Sequence, residues 1–201
     1  MSKIHWLGTG LSAIPGLKML IEKGYSVVVY NRTVENATKA LSGIEGDYQI
    51  VPFSFETIKD NTNTGDVVVS MLPGNFHVPI AELSISVGAH FVSSSYISEE
   101  MQSLHESSVK KNLCLVNEVG LDPGIDHSMS HALVEDYKNS KVFSAENQHS
   151  FLSYCGGLSD APNDFCYKFS WSPLGVLKAL MSTSVSIRES QIYTVDKPWE
   201  S

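Results

Sequence analysis

The stretch Ile4-His5-Trp6-Leu7-Gly8-Thr9-Gly10-Leu11-Ser12-Ala13 decides the fold. A short strand-like run enters a GxGxxA loop, and residues 11–23 carry apolar side chains at helical spacing. Glycine-rich turns are common, so the pattern alone is weak. Here it stands between a strand and a helix, which is the setting a dinucleotide-binding loop requires. In that setting Gly8 permits the tight turn, Gly10 lets the backbone approach a pyrophosphate, and Ala13 lets the helix pack closely on the strand. Leu11 and Ser12 fall at the helix start, whose free N–H groups suit a phosphate. Pro15 lies in the first turn, where no intrahelical donor is lost.

Outward from this loop the pattern repeats in kind. Strand-like runs are Ile4–Leu7, 26–30, 49–52, 66–71, His90–Ser93 and 113–117, and helical stretches cover 11–23, 34–41, His77–Val87 and 98–111. Ser98 reads as an N-cap with Glu99 and Glu100 in the first turn, and Gly24 and Gly88 read as helix stops. Alternation with short connections implies right-handed crossovers and a parallel sheet. The run Val67-Val68-Val69 suits a sheet covered on both faces. The expected class is α/β, a Rossmann-type doubly wound parallel sheet. After about Val142 the sequence turns aromatic and glycine-rich around Gly156-Gly157, so a second domain is expected beyond a helix at 126–137, with residues 140–149 as the hinge.

Composition narrows the class further. The 201 residues allow one complete domain and part of another. A hydrophobic fraction of 42% describes a globular chain able to bury a core. The formal net charge of -8 argues against a nucleic-acid backbone or an anionic membrane as partner. No apolar run approaches the ~18 residues of a membrane span. The opening residues turn straight into strand and loop, which predicts no signal peptide. Cys114, Cys155 and Cys166 form no CxxC pair, so the expectation is a reducing compartment, the cytoplasm, with no disulfide framework and no zinc site.

The end of the second strand selects the cofactor. About 20 residues past the glycine loop, a protein that binds a free ribose 2′-hydroxyl carries Asp or Glu. This chain has Asn31-Arg32-Thr33. Arg32 can pair with a 2′-phosphate through two charge-assisted hydrogen bonds, and Thr33 adds a hydroxyl. The expectation is NADP. The plainer alternative makes Arg32 a solvated charge and Thr33 a helix cap. Beyond the other strand ends lie Met71-Leu72-Pro73-Gly74, Ser93-Ser94-Ser95-Tyr96 and residues 117–124, all on the edge where open α/β sheets bind ligands. Leu72, Pro73, Ser94 and Ser95 are therefore counted with the cofactor site.

Three blocks carry a resemblance. Gly120-Leu121-Asp122-Pro123-Gly124-Ile125-Asp126-His127, then Ser153-Tyr154-Cys155-Gly156-Gly157, then Tyr167-Lys168-Phe169-Ser170-Trp171-Ser172 resemble signature blocks of the saccharopine dehydrogenase family, of the NADP-dependent, L-glutamate-forming type. Ser94-Ser95-Tyr96 and Asn31-Arg32-Thr33 are similar to that family as well, and the likeness runs from Lys3 to about Ile187. It implies an NADP-binding domain over 1–139, the beginning of a mixed α/β substrate and dimerisation domain over 140–201, and a homodimer at full family length. It also implies a reaction of lysine metabolism on a small amino-acid substrate, interconverting saccharopine with glutamate and aminoadipate semialdehyde. By the resemblance, Tyr96, Asp122 and Cys155 lie near the nicotinamide and the substrate.

The residue types fit that chemistry. Oxidising a secondary amine needs a group that takes the amine proton, and hydrating the imine needs a base near water. Asp122 can orient the amine or water, Tyr96 can donate a phenolic proton, and Cys155 can stand opposite. The plainer alternatives are a turn-capping aspartate, a buried tyrosine and a core cysteine. Lys168 suits a substrate carboxylate or is a surface lysine. Gly124, Asp126, His127, Gly156 and Gly157 complete the expected substrate site. His127 and His131 stand at metal-binding spacing, but no third ligand is evident and no metal is expected. His5, His77, His90, His105 and His149 carry no signal.

Two departures from the family bear on substrate and activity. Asn163-Asp164-Phe165-Cys166 replaces a family Asn-Pro-Leu-Gly, which predicts a reshaped substrate mouth. Family members are also substantially longer, so apolar side chains over 169–180 are expected to be exposed. The alternatives are an enzyme of the carboxynorspermidine synthase type, joining an amine to another semialdehyde, and a non-catalytic NADP-binding short form.

Overall fold

A computed structural model describes residues 2–157, 159–164, 166–169 and 172–200 of the chain. Phe165, Ser170 and Trp171, which fall in the quoted blocks, lie outside the described residues, as does Leu158. By its internal contacts the chain divides into two compact units, Met1–Cys155 and Gly156–Ser201.

The first unit is built on strands β1 (Ile4–Leu7), β2 (Val27–Asn31), β3 (Tyr48–Pro52), β4 (Val67–Ser70), β5 (His90–Ser93) and β6 (Leu115–Val116). They form one sheet in the order β3-β2-β1-β4-β5-β6, parallel throughout. The order reverses between β1 and β4, the switch point beside which such folds bind dinucleotides. Alternate strand residues feed opposite faces. Leu7, Val28, Tyr30, Val68 and Phe91 pack in one core, and Trp6, Val27 and Val29 in the other.

The helices are α1 (Ile14–Glu22), α2 (Val34–Ala40), α3 (Phe55–Asn61), α4 (His77–Val87), α5 (Glu99–Ser103), α6 (His105–Lys110) and α7 (Ile125–Lys138). Leu17 and Ile21 of α1 and Ala37 of α2 enter one core, while Ile58 of α3 and Ile80 of α4 enter the other. The doubly wound sheet expected from the sequence is thus the one that forms, with local corrections. Residues 11–13 form a turn, so α1 starts at Ile14. The single helix expected over 98–111 is two, because the backbone at Leu104 flattens to ψ -7. The α3 helix was not anticipated; Ser54 caps it by accepting the Thr57 N–H at 2.9 Å. The sixth strand shrinks to two residues.

The second unit holds α8 (Pro173–Ala179), capped by Ser172, and an antiparallel hairpin of β7 (Ser184–Arg188) and β8 (Gln191–Val195). Its two-residue turn places both Glu189 and Ser190 at positive φ, as the favoured hairpin turns demand. Phe169, Leu174, Leu177, Leu180, Ile187 and Ile192 are exposed.

Candidate active site

The cofactor loop follows β1. Gly8 donates its N–H to the Tyr30 carbonyl at 2.9 Å and adopts φ +98, where a Cβ would come within 3.1 Å of the Met71 carbonyl oxygen. Gly8 therefore has two reasons to lack a side chain. At Gly10 a Cβ would meet nothing within 4 Å, so the loop faces open space where a pyrophosphate must approach. Ala13 is buried against the core, while Leu11 is 73% exposed. No side chain caps the α1 N-terminus, which leaves its first N–H groups for an anion.

At the end of β2, the Asn31 amide donates to the Thr33 carbonyl at 2.8 Å and shapes the turn. Thr33 occupies the N-cap position of α2, yet its side chain makes no cap bond. Arg32 is exposed and pairs with no carboxylate among the described residues. An open glycine cradle, an uncapped helix and an unpaired guanidinium beside a free hydroxyl fit a dinucleotide carrying a 2′-phosphate. Leu72 lies partly buried beside Gly8, and Pro73 opens a short 3-10 turn over Gly74–Phe76.

The three residues expected to do chemistry come together. Tyr96, in the loop after β5, donates its hydroxyl to the Asp122 carboxylate at 2.8 Å. The Cys155 thiol lies near enough to the same carboxylate to be influenced by it. Asp122 belongs to the turn between β6 and α7 and is joined to Pro123 by a cis peptide bond. Tyr96 is 65% exposed and Cys155 is exposed, so neither is a core residue. The bond to Asp122, then burial, pushes the Tyr96 phenol up to about 12. The Cys155 thiol is likewise pushed up, first by Asp122. Both groups thus stay protonated beside one carboxylate.

The neighbouring Asp126 accepts from the Gly124 N–H at 2.8 Å and the His127 ring at 2.9 Å. Desolvation opposes its ionisation, but these two bonds prevail and hold its carboxyl below the ordinary value. Gly124 has φ +144, and a Cβ there would run into the Gly120 carbonyl oxygen, so only glycine closes this turn. Gly156, Gly157 and Lys168 belong to the second unit, where the Lys168 N–H donates to the Gly157 carbonyl at 3.2 Å. Among the described residues no group of three or more His, Cys, Asp or Glu is placed to hold a metal ion, and no helix is long and apolar enough to cross a membrane.

Sequence reading missed the frame beneath this site. His77, buried at the start of α4, contacts Ser70 Oγ at 3.0 Å through Nδ1 and Ser95 Oγ at 2.8 Å through Nε2. Burial pushes its pKa down, so the ring is neutral and bridges two hydroxyls. Ser93 donates to Asn117 at 2.9 Å, tying the ends of β5 and β6. Ser94 and Ser95 are half-buried in the same loop. His77 gave no periodic signal, because its partners come from the end of β4 and the loop after β5.

The fold and loop define a Rossmann-type dinucleotide-binding protein with an ionisable cluster at the carboxyl edge of its sheet. The chain belongs to the saccharopine dehydrogenase family: residues 4–116 match the family's NADP binding domain and residues 120–201 its C-terminal domain. It is 33% identical to the saccharopine dehydrogenase [NADP(+), L-glutamate-forming] of Pyricularia oryzae over 96% of this chain and 43% of that protein. It is 35% identical to the alpha-aminoadipic semialdehyde synthase of Arabidopsis thaliana over 76% of this chain and 14% of that one. The apo saccharopine dehydrogenase (L-Glu forming) of Saccharomyces cerevisiae superposes with a TM-score of 0.75 at 32% identity, over 98% of this chain and 44% of that one. The chain therefore spans less than half the length of these saccharopine dehydrogenases.

Proposed function

We propose that this chain binds NADP and forms the reacting edge of an oxidoreductase that acts on the CH–NH group of saccharopine, giving glutamate and aminoadipate semialdehyde or running the reverse. The observation that carries the reading is the convergence of Tyr96 and Cys155 on Asp122 beyond the strand ends. Residues 1–139 serve the cofactor: Gly8, Gly10, Leu11, Ser12 and Ala13 receive the pyrophosphate, and Asn31, Arg32 and Thr33 receive the 2′-phosphate. Leu72, Pro73, Ser94 and Ser95 line the nicotinamide side. Gly124, Asp126 and His127 serve the amino-acid substrate, and residues 140–201 begin the substrate domain, where the family likeness assigns Gly156, Gly157 and Lys168 to substrate binding. The working enzyme is a cytoplasmic homodimer that contacts neither nucleic acid nor membrane.

NADP supplies the hydride acceptor when bound. The protein's share is electrostatic and acid–base. Losing hydride turns a secondary amine into a cationic iminium, and the Asp122 carboxylate stabilises that positive charge. A phenol held protonated orients the carboxylate and offers a hydrogen to the departing amine during imine hydrolysis. The Cys155 thiol lies near the same carboxylate. Titration of NADPH against NADH, on wild type and Arg32→Ala at fixed salt, tests the cofactor half. NADPH should bind more tightly, and Arg32→Ala should erase about 1–3 kcal/mol of that preference. Equal binding of both would remove Arg32 from the site. Saccharopine-dependent NADPH formation tests the rest.

A further inference from the structure

We infer that Glu118, through a strained backbone, is the positioning residue that brings the Tyr96 phenol to Asp122, a role that rests on the reading of the reacting edge given above. Tyr96 has an unusual difficulty. With 65% of its surface exposed, it has little packing to hold its ring, so the backbone on either side must place it.

Glu118 supplies that placement from both flanks. Its N–H donates to the Ser95 carbonyl at 3.1 Å, and its carboxylate accepts the Ile97 N–H at 3.2 Å. Tyr96 is thereby bracketed by one residue acting through main chain and side chain together. The preceding residue is fixed a second time, by the His77 ring on Ser95 Oγ. Glu118 reaches both flanks from a left-handed conformation, φ 60, which a residue with a Cβ adopts at a cost in strain. A glutamate kept there, just past β6, instead of the glycine that would relieve the strain, is explained by what its carboxylate does. Its charge also helps keep the phenol protonated. Glu118 touches no reacting atom. It acts through Tyr96.

The test separates strain from positioning. The whole chain is labelled with 13C in its tyrosine rings, and the Tyr96 signal is identified by its loss in Tyr96→Phe. Thermal midpoints and saccharopine-dependent NADPH formation are measured on wild type, Glu118→Gly and Glu118→Gln. Glu118→Gly should melt no lower than wild type, because the strain is gone, yet its Tyr96 signal should move to the position of free tyrosine and kcat should fall about tenfold while NADPH affinity holds. Glu118→Gln, which keeps an acceptor for the Ile97 N–H, should restore both the signal and most of kcat. A Tyr96 signal that stays in place in Glu118→Gly overturns the inference, whatever the turnover. A signal that moves, in a chain whose wild type shows no turnover of saccharopine, supports the positioning role and overturns the substrate reading instead.

Discussion

Two polar networks run through the same sheet, one at each end, and they are built for different ends. At the amino end, His5 contacts the Tyr30 hydroxyl at 2.8 Å and Asp66 at 3.0 Å, and Asp66 also accepts the backbone N–H groups of Lys3 and Asn63, both at 2.8 Å. His5, Tyr30 and Asp66 are all buried, so the network closes on itself. At the carboxyl end, His77 bridges Ser70 and Ser95, and the residue next along the chain is the exposed Tyr96, whose hydroxyl donates to Asp122. Both ends carry a neutral histidine between strands. The difference lies in the last partner. A network that ends inside ties β1, β2 and β4 together, whereas one that ends in solvent presents groups to a ligand.

The largest expected effect tests the closed end. Asp66→Ala strands a buried imidazole and two backbone donors, so urea unfolding should show a loss of about 3 kcal/mol or more. An effect near zero would mean that water enters this end and that the contrast is false. The next effect lies within the glycine loop. Gly8→Ala forces a side chain into positive φ against the Met71 carbonyl and should lower stability by about 2 kcal/mol. Gly10→Ala meets nothing in the protein and should leave stability unchanged, while lowering NADPH affinity by about tenfold or more. If Gly10→Ala binds NADPH normally, the pyrophosphate does not cross the loop there.

Both histidines also give the sheet a pH dependence. Burial pushes His5 and His77 below the ordinary 6.5. The unfolded chain takes up protons as pH drops through 6.5, and the folded chain lags behind. Stability should therefore be level above about pH 7 and fall below 6.5, by at most about 1.4 kcal/mol per pH unit for each histidine. His77→Gln should remove one share of that slope and leave the share of His5. An unchanged slope would show that the ring at the carboxyl end is already open to protons.

How much of this was legible depended on whether a signal was local. The glycine loop, the β-branched run at Val67-Val68-Val69 and the stop at Gly88 are written in adjacent residues, so the sheet and its cofactor edge were readable. Tyr96, Asp122 and Cys155 were named because of a resemblance, and the structure brings them together. His5, His77 and Glu118 were invisible for one shared reason: each takes its meaning from partners on other strands or on a loop after another strand, such as Asp66 for His5 and Ile97 for Glu118. The α3 helix was passed over because seven residues give too short a periodic pattern to stand out. The second unit was hardest to read, since its apolar side chains face outward and do not declare a core.

The smallest expected effect on stability is the sharpest probe of the open end. Tyr96→Phe removes one exposed hydrogen bond, and solvent can replace it, so unfolding should shift by no more than about 0.5 kcal/mol. The chemistry of Asp122 should change more than the fold does. In the wild type its carboxylate shares its charge between the phenol and the Cys155 thiol. Without the phenol, the thiol faces that charge alone and should give up its proton less readily. Alkylation of Cys155 at mildly alkaline pH should then slow, read by peptide mass mapping against the exposed Cys114 and Cys166 in the same molecule. A Cys155 that reacts at its old rate would mean that phenol and thiol do not share Asp122 in solution. A large loss of stability would mean that Tyr96 belongs with the closed network at the other end of the sheet.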